Sequence, residues 1–212
     1  MNTQERELVR FLGVLDEAGC LPHVVLIGSW AELLFDRCGL LDGFEPNIKT
    51  MDIDFLVRNM RRPVPAAKLT AVARERGYLV ESDRLTNVTK IYSTSGLEVE
   101  FLIGKVGAGL ESSLPTNIGV TAQSLRHMDV LLRSAVTVTY ERLEVNVPTP
   151  EAYAVHKMVV NDERGKKRDK DAQAIVRMWP YLDAAKLAST LASLTSKERA
   201  KADAFMRRTA LC

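Results

Sequence analysis

The chain has 212 residues, 46% of them apolar and 26% charged, with a formal net charge of +2. That length holds one domain or two small ones with a proper core, and the near-neutral balance leaves any nucleic-acid contact to a local patch. Cys20, Cys38 and Cys212 show no CxxC spacing and leave one over, which argues against a disulfide framework or zinc ribbon and predicts a reducing cytoplasm.

Leu8, Phe11, Leu12 and Leu15 recur at helical spacing and predict an opening amphipathic helix over 3–18. Glu5, Arg6, Glu7 and Arg10 within it are unlike a signal peptide. No apolar run reaches the roughly 18 residues of a membrane span, so a soluble, cytoplasmic chain with no membrane partner is expected. Val24–Ile27 reads as a short buried strand closed by Gly28, and 30–41 as the next helix. Gly39, Gly43 and Pro46 mark a loop over 39–50. A strand over 51–57 is broken off by Arg61-Arg62-Pro63, and a helix over 66–76 is stopped by Gly77. Strands are predicted near 78–81, 88–93 and 97–103, the last two joined by a Ser93–Gly96 turn. Gly- and Ser-rich residues 104–119 read as a flexible loop. Alternation at 136–140 and 143–147 predicts one more strand pair, and helices follow at 151–162, 168–179, 183–193 and 196–208. The expected organisation is an α/β part, 1–148, followed by a helical part, 149–212.

The most informative pattern is Asp52-Ile53-Asp54-Phe55-Leu56-Val57. Side chains alternate along a strand, so both aspartates share one face while Ile53, Phe55 and Val57 face a core. Two carboxylates that close repel unless a cation sits between them or one stays protonated, and a hard divalent ion such as Mg²⁺ is the common remedy. The alternative is a pair of solvent-facing strand acids. Upstream, Gly28-Ser29 at a helix start offers backbone N–H groups to a phosphate. Ser29 and Glu32 also fit a plain capping box.

A third acid for such a site comes from Glu98-Val99-Glu100-Phe101, where Glu100, flanked by apolar residues, is the better candidate and Glu98 is expected to face solvent. Lys157 lies in an apolar helical stretch and could point inward toward acids or phosphates. The run Arg164–Asp171 is dense in cations and reads either as a polyphosphate or RNA contact or as a solvated loop. His23, His127 and His156 have no metal-ligand spacing, and no P-loop is present.

The ordered set of apolar strand, Gly28-Ser29, helix, Asp52-Ile53-Asp54 and Val99-Glu100-Phe101 resembles the minimal nucleotidyltransferase fold of the DNA polymerase β superfamily. Pro148–Glu151, His156-Lys157 and Arg168-Asp169-Lys170-Asp171 look like bacterial AbiEii-type and related nucleotidyltransferases. The resemblance covers about 24–178. It implies an α/β (α+β) fold, a mixed sheet flanked by helices with a C-terminal helical part. It implies Mg²⁺ (or Mn²⁺) held by Asp52, Asp54 and Glu100, with these acids and Lys157 as the catalytic set. Gly28, Ser29, Lys157, Arg168, Lys170 and Asp171 would then hold a nucleoside triphosphate. The implied reaction moves a nucleoside monophosphate from that triphosphate to a hydroxyl of RNA/tRNA, a protein or a small molecule. A toxin-like role with an antitoxin partner is among the expectations, and the other reading is a non-catalytic nucleotide sensor or partner subunit. The third acid departs from the usual Asp in being a Glu, one methylene longer, and Ala174 stands where the AbiEii-type pattern often has a further Asp.

Overall fold

The computed structural model describes residues 1–46, 50–59, 62–105 and 112–211. Parts of the expected loops at 39–50 and 104–119, the breaker residue Arg61, and Cys212 lie outside the described residues.

Helix α1 (Thr3–Glu17) starts at an Asn2/Glu5 capping box and buries Leu8, Phe11, Leu12 and Leu15. Strand β1 (Val24–Ile27), helix α2 (Ser29–Arg37) and strand β2 (Asp52–Val57) follow. Then come helix α3 (Leu69–Glu75) and strands β3 (Leu79–Ser82), β4 (Thr89–Tyr92) and β5 (Glu98–Gly104). These strands form one mixed sheet in the order β1-β2-β5-β4-β3. Strands β2 and β5 run parallel, while β1/β2, β4/β5 and β3/β4 are antiparallel. The Ser93–Gly96 turn joins β4 to β5 as expected, with the Ser93 hydroxyl accepting from the Leu97 amide.

One face of the sheet carries the core. Phe55 stacks on Phe101 with ring centroids 6.1 Å apart, and Phe11 of α1 packs on Phe55 at 5.9 Å. Ile53, Val57, Val99 and Ile103 complete that layer. The strand period of two therefore turns Asp52, Asp54, Glu98 and Glu100 to the opposite face. Apolar burial of this kind contributes about 1.5–3 kcal/mol for each fully buried large side chain and anchors the register of the acids.

The stretch expected to be loop from 104 to 119 contains strand β6 (Ser113–Pro115), which pairs antiparallel with β7 (Thr121–Leu125). Strand β5 pairs with β4 through Glu98–Glu100 and with β7 through Leu102–Gly104, so β7 extends the sheet beside the acids. Neither β7 nor the short helix α4 (Asp129–Arg133) was expected from the pattern. The predicted strand pair is present as β8 (Ala135–Tyr140) and β9 (Leu143–Pro148), docked on β1 by a hydrogen bond from the Asn146 amide to the Val24 carbonyl at 3.0 Å.

Helices α5 (Pro150–Val160), α6 (Arg168–Met178), α7 (Ala184–Ala192) and α8 (Ser196–Thr209) complete the chain. Thr149 caps α5, and Pro150 fits its first turn, where no amide donor is needed. Helix α8 is tied to the β7–α4 turn by His127 Nδ1 and Glu198 Oε1, 2.8 Å apart. Among the described residues no helix is long and apolar enough to cross a membrane. Cys20 and Cys38 are both free thiols.

Candidate active site

The carboxylates come together through strand register. Asp52 stands opposite Glu98, and Asp54 opposite Glu100, on the parallel β2/β5 pair. In the next strand Lys90 stands opposite Glu100, and Tyr92 opposite Glu98. The face thus reads Asp54, Glu100, Lys90 in one row and Asp52, Glu98, Tyr92 in the next. Asp52 is exposed at the strand end, while Asp54 and Glu100 are partly buried.

Gly28 closes the site from the side of β1. Its φ is +70° and ψ −161°, a region essentially reserved for glycine. A Cβ placed there would lie 2.7 Å from Asp54 Oδ2, so only glycine lets the backbone come this near the carboxylate. The capping-box alternative for Ser29 and Glu32 is not formed. Gly28 is itself the N-cap, without any side-chain cap, and Ser29 is the first helical residue. Glu32 is instead buried and accepts a hydrogen bond from the Tyr153 hydroxyl at 2.6 Å.

Helix α5 brings Lys157 to the same place. Its ammonium lies 2.9 Å from Asp171 Oδ1, 3.9 Å from Glu32 Oε1 and 4.9 Å from the centre of the Tyr153 ring. Arg164 Nε donates to the other Asp171 oxygen at 2.8 Å. Burial would raise the Asp171 carboxyl, but Lys157 and Arg164 together hold it below the usual carboxylate range. Asp171 is therefore a buried anion pinned between two cations.

A cavity of about 1290 Å³ lies between the carboxylate face and helices α5 and α6. Gly28, Ser29, Asp52, Asp54, Glu100, Lys157, Lys170 and Asp171 all line it, so these sequence-predicted residues are gathered in one space. Arg168 is not among the lining residues and pairs with Asp162 at 3.1 Å. Arg164, Lys167 and Arg177 add cations to the wall, and Leu125, Met128 and Leu131 add an apolar side. The volume exceeds the roughly 300–1,000 Å³ of common small-molecule sites, which leaves room for a nucleotide and part of an acceptor. His156 also lines the cavity; burial first, then Arg164 and Lys157, pull its imidazole down to about 3, so it is neutral at physiological pH.

Burial, then the charges of Glu100 and Asp52, push the Asp54 carboxyl up to about 6 against the partial relief of Lys167 and Arg164. Among the described residues no three His, Cys, Asp or Glu side chains close around one point as a ready-made metal cage. The donor set still fits a hard divalent cation. Asp52 and Asp54 offer oxygen ligands from one face, and a cation there would offset both the burial of Asp54 and its repulsion by Glu100 and Asp52.

Sequence reasoning missed Lys90, Glu32, Arg164 as an individual residue, and Lys167. Lys90 was hidden by one residue of register. A four-residue Ser93–Gly96 turn would set Lys90 against Val99, whereas the hairpin is centred on Ser95, closed by the Ser93 amide donating to the Leu97 carbonyl, and sets Lys90 against Glu100.

A mixed sheet carrying an Asp-x-Asp strand, a third acid on its parallel neighbour and a cation-rich cavity is suited to chemistry on phosphate groups. A nucleotidyltransferase family model matches residues 6–199, and the chain belongs to that family. An antigenic nucleotidyltransferase-like protein from Paracoccidioides brasiliensis has a similar crystal structure, with TM-score 0.56 and 13% identity over 97% of this chain and 88% of that one. The structure of ANT(2")-Ia in complex with adenylyl-2"-tobramycin is matched at TM-score 0.48 and 16% identity, over 98% of this chain and 99% of that one. No curated protein matches the chain.

Proposed function

We propose that the chain transfers a nucleoside monophosphate from a nucleoside triphosphate to a hydroxyl of RNA, with Asp52 and Asp54 holding Mg²⁺ or Mn²⁺. The observation that carries this reading is the register row of Asp54 and Glu100 beside Gly28, all facing one cavity with Lys167 and Lys170. When bound, the divalent ion would supply Lewis-acid polarisation of the transferring phosphate.

The chain's own groups do the rest. The free amides at the start of α2, with the Ser29 hydroxyl, bind phosphate oxygens. Lys167 and Lys170 offset the charge that grows on the departing pyrophosphate, and Lys157, paired with Asp171 at the cavity wall, adds its field. Glu100 accepts the proton of the attacking hydroxyl. One bond forms between that oxygen and the α-phosphorus, the bond to the β-phosphate bridging oxygen breaks, and pyrophosphate leaves with the electron pair.

RNA is the favoured acceptor because the basic turn from Arg164 to Lys170 borders the cavity, with Lys167 and Lys170 turned to its wall. The resemblance of 148–171 to AbiEii-type chains supports a toxin-like role with an antitoxin partner. Incubation with each α-labelled triphosphate, Mg²⁺, total RNA and total protein tests the acceptor. Label in RNA is expected; label confined to protein or to small molecules would overturn RNA as the acceptor.

Gly28→Ala tests the close approach. The new methyl meets Asp54 Oδ2 inside contact distance and occupies a backbone region reserved for glycine, so Asp54 must move. A shift on the order of 1 Å at reacting groups lowers rate about a hundredfold. The expected result is that loss in kcat/KM with an unchanged far-ultraviolet circular dichroism spectrum. Full activity in the alanine variant would show that the approach is incidental.

A further inference from the structure

Lys90, Glu98 and Tyr92 lie on the carboxylate face and take no part in the transfer reaction above. Its ammonium lies 2.5 Å from Glu98 Oε1 and 2.7 Å from Glu100 Oε1, and it is the strand-register partner of Glu100. Lys90 and Glu98 do not line the cavity, whereas Glu100 does. Lys90 therefore grips Glu100 from outside the space where substrates would sit. Donating to Glu100, then to Glu98, holds the Lys90 ammonium well above the ordinary lysine range, so it carries its charge at physiological pH.

In a two-metal site the third carboxylate helps hold a second divalent ion, which activates the attacking oxygen. Here one Glu100 oxygen is already engaged by an ammonium. A second divalent ion on that carboxylate would face the positive charge of Lys90 within a few ångströms and be repelled. The register that places Lys90 opposite Glu100 also places Asp54 on its other side. Glu100 thus sits between a fixed cation on one strand and the Asp-x-Asp strand on the other.

We infer that Lys90 is a positioning residue that stands in for the second divalent ion: it clamps Glu100 by one oxygen, leaves the other to receive the acceptor proton, and limits the chain to one divalent ion per bound nucleotide. This rests on the transferase reading above. It makes the ion count, rather than the rate, the property that distinguishes Lys90 from a merely structural lysine.

The test is Mn²⁺ counting by electron paramagnetic resonance, with the whole chain in slight excess over a non-hydrolysable α,β-methylene triphosphate. The wild type should bind one Mn²⁺ per nucleotide. Lys90→Met should bind two, and Lys90→Arg should return the count to one. Glu98→Gln, which leaves the Lys90–Glu100 contact in place, should also stay at one. Two ions in the wild type would overturn the role of Lys90 and leave the transferase reading standing, as would a count of one in Lys90→Met. No Mn²⁺ and no nucleotide bound by the wild type would overturn both. A wild-type count of two overturns the role of Lys90 by itself, so a poorly folded variant does not remove the test.

Discussion

Asp54→Asn should abolish transfer and at the same time yield a more stable metal-free chain. The loss of transfer follows from removing an anionic oxygen from the pair proposed to hold the ion, and should reach at least about a thousandfold, the scale seen when a group acting on the reacting atoms is removed. The gain in stability follows from the raised carboxyl. Burial, then Glu100 and Asp52, push the Asp54 carboxyl up to about 6 in the fold from its ordinary 3.8, so the folded chain holds this proton more tightly than the unfolded one. Ionising Asp54 therefore destabilises the metal-free fold progressively as pH rises from about 4 to about 6, and the full effect, about 3 kcal/mol, is present at neutral pH. Asparagine is neutral throughout and of the same shape. Urea unfolding in chelator should show the variant more stable than wild type at pH 8, with the gap closing near pH 4. A variant less stable at pH 8 would contradict the cost of keeping Asp54 ionised while buried beside Glu100 and Asp52.

The second large effect is expected at Lys157. Its side chain is 15% exposed, and those of its partners Asp171 and Glu32 are 8% and 4% exposed, so the charges are removed from water together. Lys157→Met keeps the stem that packs against Tyr153 but strips the ammonium. Asp171 is left with Arg164 alone, and Glu32 with the Tyr153 hydroxyl. Breaking a buried pair on one side costs about 3 kcal/mol, which for a chain of this size lowers Tm by roughly 6–12 °C. Asp171→Asn in the Lys157→Met background should then cost less than it does in wild type, because the carboxylate no longer has that partner. Additive losses in the double variant would show that the two groups are not coupled. Asp171 carries its own pH signature. Its carboxyl is held below the ordinary value in the fold, so its stabilisation is present at neutral pH and is lost as the solution is acidified through that lowered pKa.

The two predictions pull in opposite directions on stability for one physical reason. Asp54 lies among acids with cations only at a distance, whereas Asp171 is clasped directly by Lys157 and Arg164. The first arrangement is one that a bound cation would relieve, and in the second the cations are the chain's own. Asp171 is paired with both Lys157 and Arg164 at the cavity wall.

The Asp-x-Asp strand was legible because a period of two cannot be mistaken when Ile53, Phe55 and Val57 alternate with it. The β4–β5 hairpin was legible from Ser93–Gly96 for a similar local reason. Strand β7 was not, since its inward positions are Ala122 and Ser124, too small to raise an apolar signal above the Gly- and Ser-rich text before it. Helix α4 spans only Asp129–Arg133, shorter than two turns, and has no period to detect. Glu32 fits a capping box on spacing alone; only the approach of Tyr153 from α5 reveals that it turns inward instead. Within Arg164–Asp171 the turns are short 3₁₀ segments leading into α6, and nothing local separates Arg168, paired with Asp162, from Lys167 and Lys170 at the cavity. Those distinctions are set by the packing of distant elements.

Single-turnover release of pyrophosphate from a nucleoside triphosphate, with Mg²⁺ and total RNA, measured for wild type beside Asp52→Ala/Asp54→Ala, tests the central claim most directly. Release and matching incorporation of the nucleoside monophosphate by the wild type, with neither in the double variant, is the predicted result. Equal release by both chains would contradict the assignment of the two aspartates. Absence of release together with no Mg²⁺-dependent nucleotide binding by the wild type would contradict the transferase reading itself.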